Sequence, residues 1–244
     1  MNITCHTPHE TEALAARLSL WARPGFLVLL SGDLGSGKST FARAFIRSLA
    51  GNREDFDVPS PTFTLVQSYD ETRIPVFHAD LYRLKTAEDA AELGLADLLQ
   101  THVGLVEWPE LLPTGFAADV LRITLSGSGE TRGVTLSAGG AWVKALARDA
   151  EIERFLIGAQ PCTRFFLEGD ASSRRYEWLG VKDGTKPILM DMPTRPDGPV
   201  VKDGKPYSAI AQLAEGLPAV TAMNTLLVQR GYSAPRILRA DLKA

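Results

Sequence analysis

The stretch of residues 26–41 constrains the fold more than any other part of the chain. Its apolar beginning, residues 26–30, is typical of a buried strand and runs directly into Gly32-x-x-x-x-Gly37-Lys38-Ser39, the phosphate-binding P-loop pattern. Apolar residues at helical spacing follow at once. Strand, glycine-rich turn and helix are the context that this pattern requires, so we predict an α/β fold with a phosphate site at the start of the helix.

The residue types of the loop predict how phosphate is bound there. Glycines let backbone N–H groups converge on phosphate oxygens, and a helix N-terminus favours negative charge. The Lys38 amine can reach the β- and γ-phosphates, and the Ser39 hydroxyl can ligate Mg²⁺. The alternative, a glycine-rich turn without a ligand, is disfavoured by the complete pattern in its proper context.

Two acidic residues stand at the ends of later apolar strands. Asp80 ends the predicted strand over residues 74–80, and Glu107 follows the apolar residues 103–106. Sites of open α/β sheets form at the carboxyl ends of strands, and P-loop enzymes place acids there that face Mg²⁺ or the attacking water. Asp80 also fits a helix N-cap, and the two roles are compatible.

A loop with two prolines, residues 58–63, separates the P-loop unit from these strands. Pro59 and Pro61 rule out a helix, and Ser60 and Thr62 between and after them could present hydroxyls to a nucleotide. A plain connector and a phosphate-sensing switch loop fit this stretch about equally well.

Composition narrows the classes of function. Hydrophobic residues make up 45% and charged residues 23% of the 244 residues, which is ordinary for a soluble globular protein. The net charge of −3 gives no basic excess for binding nucleic acid directly. Cys5 and Cys162 form no CxxC pair, so neither a disulfide framework nor a zinc site is predicted. No apolar run of membrane-spanning length and no signal-peptide pattern occur, which predicts a cytoplasmic protein without a membrane partner.

Five motifs between residues 32 and 110 resemble those of the TsaE (YjeE) family of bacterial P-loop ATPases. A lone P-loop is common, whereas the set in this order and spacing is specific. The motifs are Gly32-Asp-Leu-Gly-Ser-Gly-Lys-Ser-Thr40, Ser60-Pro-Thr-Phe63, His78-Ala-Asp-Leu-Tyr-Arg83, Glu92-Leu-Gly94 and Val106-Glu-Trp-Pro-Glu110.

The resemblance implies a P-loop NTPase fold, a three-layer α/β/α sheet, in residues 1–157. It implies an ATPase with ATP as substrate and Mg²⁺ as cofactor. Such an ATPase supports N6-threonylcarbamoyladenosine modification of tRNA with TsaB and TsaD, and reaches tRNA only through that complex.

The resemblance also implies roles for individual residues. Switch residues would be Ser60 and Thr62, catalytic residues Lys38, Asp80 and Glu107, and metal ligands Ser39, Asp80 and Glu107. Those that bind ATP would be Asp33, Leu34, Gly35, Ser36, Gly37, Lys38, Ser39, Thr40 and Trp108. Serine in place of threonine at position 39 is a mild departure from the family that keeps the hydroxyl.

Residues 158–244 resemble a different family. The stretches Gly169-Asp-Ala-Ser-Ser-Arg-Arg-Tyr176, Ile188-Leu-Met-Asp191 and Gly231-Tyr-Ser-Ala-Pro-Arg-Ile-Leu238 are similar to the start of the N-terminal lobe of aminoglycoside-phosphotransferase-like kinases. We therefore expect a small α+β segment, with a helix over residues 213–230 and a strand over residues 235–241. No catalytic-loop Asp–Asn pair or Mg²⁺-binding Asp of a kinase occurs in it, so we predict no kinase activity from this segment alone.

Two other functions remain open for the P-loop. A small-molecule kinase would use the same loop but needs an acceptor pocket and an arginine-rich lid, and no such lid is found in the sequence. A nucleotide-gated binding module, in which hydrolysis is incidental, needs only the loop and the switch.

Overall fold

Seven strands form one twisted sheet that carries the P-loop. The computed structural model describes residues 1–53, 55–158, 162–169, 174–181, 184–193, 200–202, 204–206 and 216–242. The strands of the sheet are β1 (Asn2–Cys5), β2 (Leu27–Ser31), β3 (Val66–Tyr69), β4 (Val76–Asp80), β5 (Val103–Glu107), β6 (Val120–Ser126) and β7 (Arg132–Ala138). Their order across the sheet is β1-β7-β6-β2-β5-β4-β3.

The four central strands, β6, β2, β5 and β4, are parallel, whereas β7, β1 and β3 each pair antiparallel with a neighbour. All five residues of β4 and all five of β5 are buried, as expected for parallel strands that are covered on both faces. The predicted α/β class with a P-loop NTPase sheet is therefore confirmed.

Helices cover the sheet on both faces. The first helices are α1 (Pro8–Ser19) and α2 (Lys38–Leu49), which pack against each other, and the next are the short α3 (Ala87–Ala91) and α4 (Leu95–Leu99). Leu27 and Leu29 of β2 face an apolar cluster that includes Ala90 of α3 and Leu95 of α4. Because side chains alternate along a strand, Val28 and Leu30 face the opposite side of the sheet.

A final helix, α5 (Ala141–Leu156), completes this part of the chain. It lies beside α1, because Asp149 of α5 accepts a hydrogen bond from Trp21 at 2.9 Å and forms an ion pair with Arg17 at 3.2 Å. Trp142 is fully buried against Phe26, the residue before β2.

By their contacts the residues form two units, 1–165 and 166–244, whereas the sequence suggests a boundary between residues 157 and 158. The first unit extends beyond residue 157 because Arg164, which is buried, packs with it. Its guanidinium donates to Asp149 at 2.7 Å and to Glu153 at 2.8 Å, so this residue belongs to the packing of α5.

The described residues that follow residue 158 include five strands and one helix. Strands β8 (Cys162–Leu167), β9 (Arg175–Val181) and β10 (Ile188–Asp191) form a sheet in the order β10-β9-β8, and β11 (Val200–Lys202) pairs with β12 (Lys205–Pro206). Helix α6 (Leu217–Gln229) confirms most of the helix expected over residues 213–230. Residues 170–173 of the kinase-like motif and residues 213–215 lie outside the described residues.

Two sequence-based expectations differ from the structure. The strand predicted over residues 235–241 is wrong: these residues carry no strand and pair with no other strand of the described chain, and a strand forms only where a neighbour satisfies its backbone groups. Strand β1 was not predicted, because four residues at a sheet edge are too few to show an alternating pattern.

Among the described residues, no helix is long and apolar enough to cross a membrane. Neither Cys5 nor Cys162 forms a disulfide.

Candidate functional site

The P-loop connects the end of β2 to the start of α2, as the sequence predicts. Gly37 precedes the helix with φ of 102°, and Gly32 has φ of 137°. A Cβ on Gly32 would lie 2.1 Å from the carbonyl oxygen of Leu125 in β6, so only glycine fits at that position. The loop therefore lies directly against the neighbouring strand, with the N-terminus of α2 at its end.

The Lys38 side chain folds back over the loop. Its amine donates to the carbonyl oxygens of Gly32 at 2.8 Å and Asp33 at 3.0 Å, and lies 3.8 Å from the centre of the Trp108 ring. Burial lowers the pKa of the Lys38 amine, and the nearby charges of Glu107 and other carboxylates partly oppose that shift. The ammonium is thus held among dipoles and acids at the position where the sequence predicts phosphate.

Ser39, Glu107 and His78 form a chain of hydrogen bonds beneath the P-loop. The Ser39 hydroxyl donates to Glu107 Oε2 at 3.0 Å, and His78 Nε2 lies 2.9 Å from Glu107 Oε1. His78 is fully buried and Glu107 is 1% exposed. Among the described residues, the buried His78 Nδ1 has no hydrogen-bond partner, so the tautomer with the proton on Nε2, donating to the carboxylate, fits this site.

His78 is a site residue that the sequence analysis did not assign. It lies in the His78–Arg83 motif, two residues before Asp80, so it points to the same face of β4 as Asp80 does. That spacing was the available signal. The partner on β5, Glu107, could not be identified without the strand order.

Asp80 contacts the proline-containing loop. Thr62 Oγ1 donates to Asp80 Oδ2 at 3.4 Å, a long hydrogen bond, and the hydroxyls of Ser60 and Thr62 are 3.0 Å apart. The other carboxylate oxygen of Asp80 accepts the Tyr82 backbone N–H at 3.0 Å, which forms a turn rather than a helix N-cap. The structure therefore brings the predicted switch residues to the predicted acid.

The oxygens of Ser39, Glu107 and Asp80 are of the kind that Mg²⁺ takes in proteins. Asp80 and Glu107 are register partners on the adjacent strands β4 and β5. Among the described residues, no group of three or more His, Cys, Asp or Glu side chains could hold a metal. One hydroxyl and two carboxylates fit a cation that takes its other ligands from nucleotide phosphates and water, which is how Mg²⁺ is commonly held at phosphate sites.

The remaining predicted nucleotide residues differ in exposure. Ser36 is buried, and its hydroxyl has no hydrogen-bond partner among the residues that the structure describes. The half-buried residues are Gly37, Ser39, Thr40 and Trp108, and the exposed ones are Asp33, Leu34 and Gly35.

Trp108 and the exposed aromatic residues line the same edge. Trp108 has φ of 56°, an uncommon backbone conformation for a large side chain, and its ring lies 4.9 Å from that of Tyr82. Phe63 is 83% exposed, and the Arg83 guanidinium stacks on it at 4.6 Å. Arg83, the arginine nearest to Asp80 in sequence, thus contacts the loop rather than Asp80 in this structure.

Comparisons with known proteins agree with the geometry. Residues 5–134 match the family described as Threonylcarbamoyl adenosine biosynthesis protein TsaE. The tRNA threonylcarbamoyladenosine biosynthesis protein TsaE of Bacillus subtilis is 36% identical over 135 residues, 54% of this chain and 82% of that protein. The protein of the same name from Rickettsia conorii is 37% identical over 122 residues, 50% of this chain and 69% of its own.

A solved structure is similar as well. The crystal structure of Bacillus subtilis YdiB covers 63% of this chain and 95% of its own, with a TM-score of 0.50 and 28% sequence identity. The family match ends at residue 134, so the resemblance of residues 158–244 to a kinase lobe stays a prediction.

Proposed function

The chain belongs to the TsaE family, and from this premise we propose that it is a Mg²⁺-dependent ATPase that supports N6-threonylcarbamoyladenosine modification of tRNA in the cytoplasm. In this proposal it acts with homologues of TsaB and TsaD. It reaches tRNA only through them and does not itself transfer the threonylcarbamoyl group.

One observation carries the proposal: the Ser39 hydroxyl lies 3.0 Å from the Glu107 carboxylate, at the N-terminus of a helix whose first residue is Lys38. A hydroxyl, a buried acid and an ammonium thus meet where backbone N–H groups of a helix start are directed at an anion. A purely structural turn needs none of these three groups.

The roles follow from these positions. The loop N–H groups and Lys38 stabilise the phosphate charge that shifts during hydrolysis. Ser39, Glu107 and Asp80 would hold Mg²⁺, which supplies charge neutralisation on the phosphate oxygens. Asp80 orients the attacking water or accepts its proton. Thr62 senses the nucleotide through its hydrogen bond to Asp80, and Ser60 is coupled to it through the hydroxyl of Thr62. Trp108 restricts the position of the Lys38 ammonium.

The test measures ATP hydrolysis by the full chain, with and without TsaB and TsaD, and modification of tRNA in the reconstituted system. We expect slow hydrolysis by the chain alone, because Arg83, the arginine nearest to Asp80 in sequence, stacks on Phe63 in this structure, and faster hydrolysis with the partners. Lys38→Ala should abolish tRNA modification, whereas Lys144→Ala, an exposed lysine of α5, should leave it unchanged. Full modification with Lys38→Ala would contradict the mechanism.

The same system separates the two rivals. A small-molecule kinase would yield a phosphorylated acceptor by mass analysis instead of free phosphate. For a nucleotide-gated binding module, Asp80→Ala would still bind TsaB and TsaD in the presence of ATP and support undiminished modification. We expect neither result. We also propose no phosphotransfer by residues 158–244 alone, and complementation of a TsaE-deficient strain with residues 1–165 would test whether this part is needed at all.

A further inference from the structure

Arg132, the first residue of β7, binds the P-loop although it lies far from it in sequence. Its Nε donates to the carbonyl oxygen of Ser36 at 2.7 Å, and an Nη atom donates to that of Gly35 at 3.2 Å. The other Nη atom donates to the carbonyl oxygens of Gly129 and Thr131, at 2.7 and 2.9 Å. The guanidinium therefore fastens the P-loop to the turn between β6 and β7.

These bonds fix the direction of the loop's donors. In a trans peptide the C=O of one residue and the N–H of the next point in opposite directions. A donor on the Ser36 carbonyl therefore turns the Gly37 N–H away from Arg132. Lys38 binds the carbonyl oxygens of Gly32 and Asp33 in the same loop. Together the two cations bind four carbonyl oxygens, whose negative ends would otherwise be free to turn towards a phosphate.

Two further features show that the contact is built into the loop. A Cβ on Gly37 would lie 3.4 Å from Arg132 Nε, an ordinary van der Waals distance, so the guanidinium packs directly against Gly37, whose φ of 102° favours glycine. In the part of the chain that the structure describes, no carboxylate forms an ion pair with Arg132. Its hydrogen bonds go to backbone carbonyls alone, as expected of a group that shapes a loop.

We propose that Arg132 is a positioning residue for nucleotide phosphates: its two-pronged contact with the Gly35 and Ser36 carbonyls holds the P-loop N–H groups in the phosphate-binding direction. The inference rests on the proposed binding of ATP at this loop. Arg132 acts through the loop and not by touching the reacting atoms.

The test is titration calorimetry of Mg²⁺–ADP and of AMP with the full chain and three variants. Arg132→Ala removes the contact. Arg132→Lys keeps the charge but replaces the planar fork by a single ammonium. The matched control is Arg122→Ala, which removes the same charge from an exposed position on the neighbouring strand β6.

We expect Arg132→Ala to weaken ADP binding about tenfold or more, the effect of one misdirected hydrogen bond to a charged group. The affinity for AMP, which has no β-phosphate for the loop N–H groups to bind, should fall less in the same variant. The ratio of ADP to AMP affinity should therefore fall, and a loss of stability alone would not move this ratio. Arg132→Lys should recover only a small part of the ADP affinity, and Arg122→Ala should match the wild type.

An unchanged ADP-to-AMP ratio in Arg132→Ala overturns the inference. Wild-type affinity in Arg132→Lys also overturns it, because charge alone would then explain the effect. Thermal unfolding shows whether each variant is folded. If Arg132→Ala does not fold, the ADP and AMP affinities of Arg132→Lys are used for the test instead. A wild-type chain that binds no Mg²⁺–ADP would overturn the proposed function itself, which is a distinguishable result.

Discussion

Removing the hydrogen bond from His78 to Glu107 should lower stability and loosen the Mg²⁺ site together. His78 is fully buried, and Glu107, with one oxygen on His78 and the other on Ser39, is 1% exposed. The informative pair of variants is His78→Leu and His78→Gln. The leucine and glutamine side chains have similar volumes, but only glutamine has an N–H donor that can take the place of His78 Nε2.

The magnitude follows from the burial of the carboxylate. Depriving a buried acceptor of its donor costs about 1–3 kcal/mol, with charged acceptors at the upper end. Leucine also removes the buried Nδ1 that has no partner, and this relief offsets part of the loss. We therefore expect His78→Leu to lose about 1–2 kcal/mol relative to the wild type. For a unit of this size that corresponds to a fall in Tm of about 2–8 °C.

Thermal unfolding by circular dichroism gives the stability, and titration of Mg²⁺ at saturating ADP gives the affinity of the metal site. We expect the Mg²⁺ titration of His78→Leu to shift to higher concentration, because Glu107 is no longer oriented from one side, and that of His78→Gln to shift less. A leucine variant that matches the glutamine variant in both Tm and Mg²⁺ titration would refute the assignment of His78 as the group that orients Glu107.

Two further predictions concern groups outside the site. The Tyr69 hydroxyl is buried and finds no hydrogen-bond partner in the part of the chain that the structure describes, and burial, aided by the charge of Asp57, raises its pKa to about 12. Tyr69→Phe should therefore raise the unfolding free energy by up to about 1 kcal/mol. The wild type loses stability between pH 10.0 and about 12, where only the unfolded tyrosine is deprotonated, and Tyr69→Phe should abolish this loss. Denaturant unfolding at neutral and alkaline pH measures the gain in unfolding free energy and the alkaline loss. Asp89 forms a capping box with Thr86, the N-cap of α3, and the Thr86 hydroxyl and the N–H groups of Lys85 and Thr86 hold the pKa of the Asp89 carboxyl below 3.8. The stability that the ionised Asp89 carboxylate contributes is present above pH 3.8 and is lost as the pH falls through the lower folded pKa. Unfolding curves of Asp89→Asn should therefore show a smaller loss of stability in acid than those of the wild type. Equal losses would contradict the assignment.

The parts of the fold that the sequence predicts are those written into contiguous residues. The P-loop, its strand and its helix occupy one stretch of the chain. The hairpin of β6 and β7 is likewise local, because residues with alternating burial pair across a short turn. In each case the information lies within a few residues of the structure that it specifies.

Contacts between distant residues could not be predicted in the same way. Arg132 meets Ser36 across 96 positions, and His78 meets Glu107 across 29. Both contacts depend on which strands are neighbours, and the order of strands follows from the packing of the whole sheet rather than from any local pattern. The positive φ of Trp108 could not be predicted either, because a tryptophan gives no local signal for that conformation.

The strand order also separates the roles of the two acids, which the sequence alone left equivalent. Along the chain Asp80 comes before Glu107, but in the sheet β5 lies between β2 and β4, so Glu107 is the acid next to the P-loop strand. It accepts the Ser39 hydroxyl, whereas Asp80, one strand further away, accepts Thr62 of the proline-containing loop. We infer that Glu107 serves chiefly the metal and that Asp80 couples the attacking water to the switch. In this inference the two functions would be divided because adjacent strands end at the same edge but at different distances from the phosphate loop.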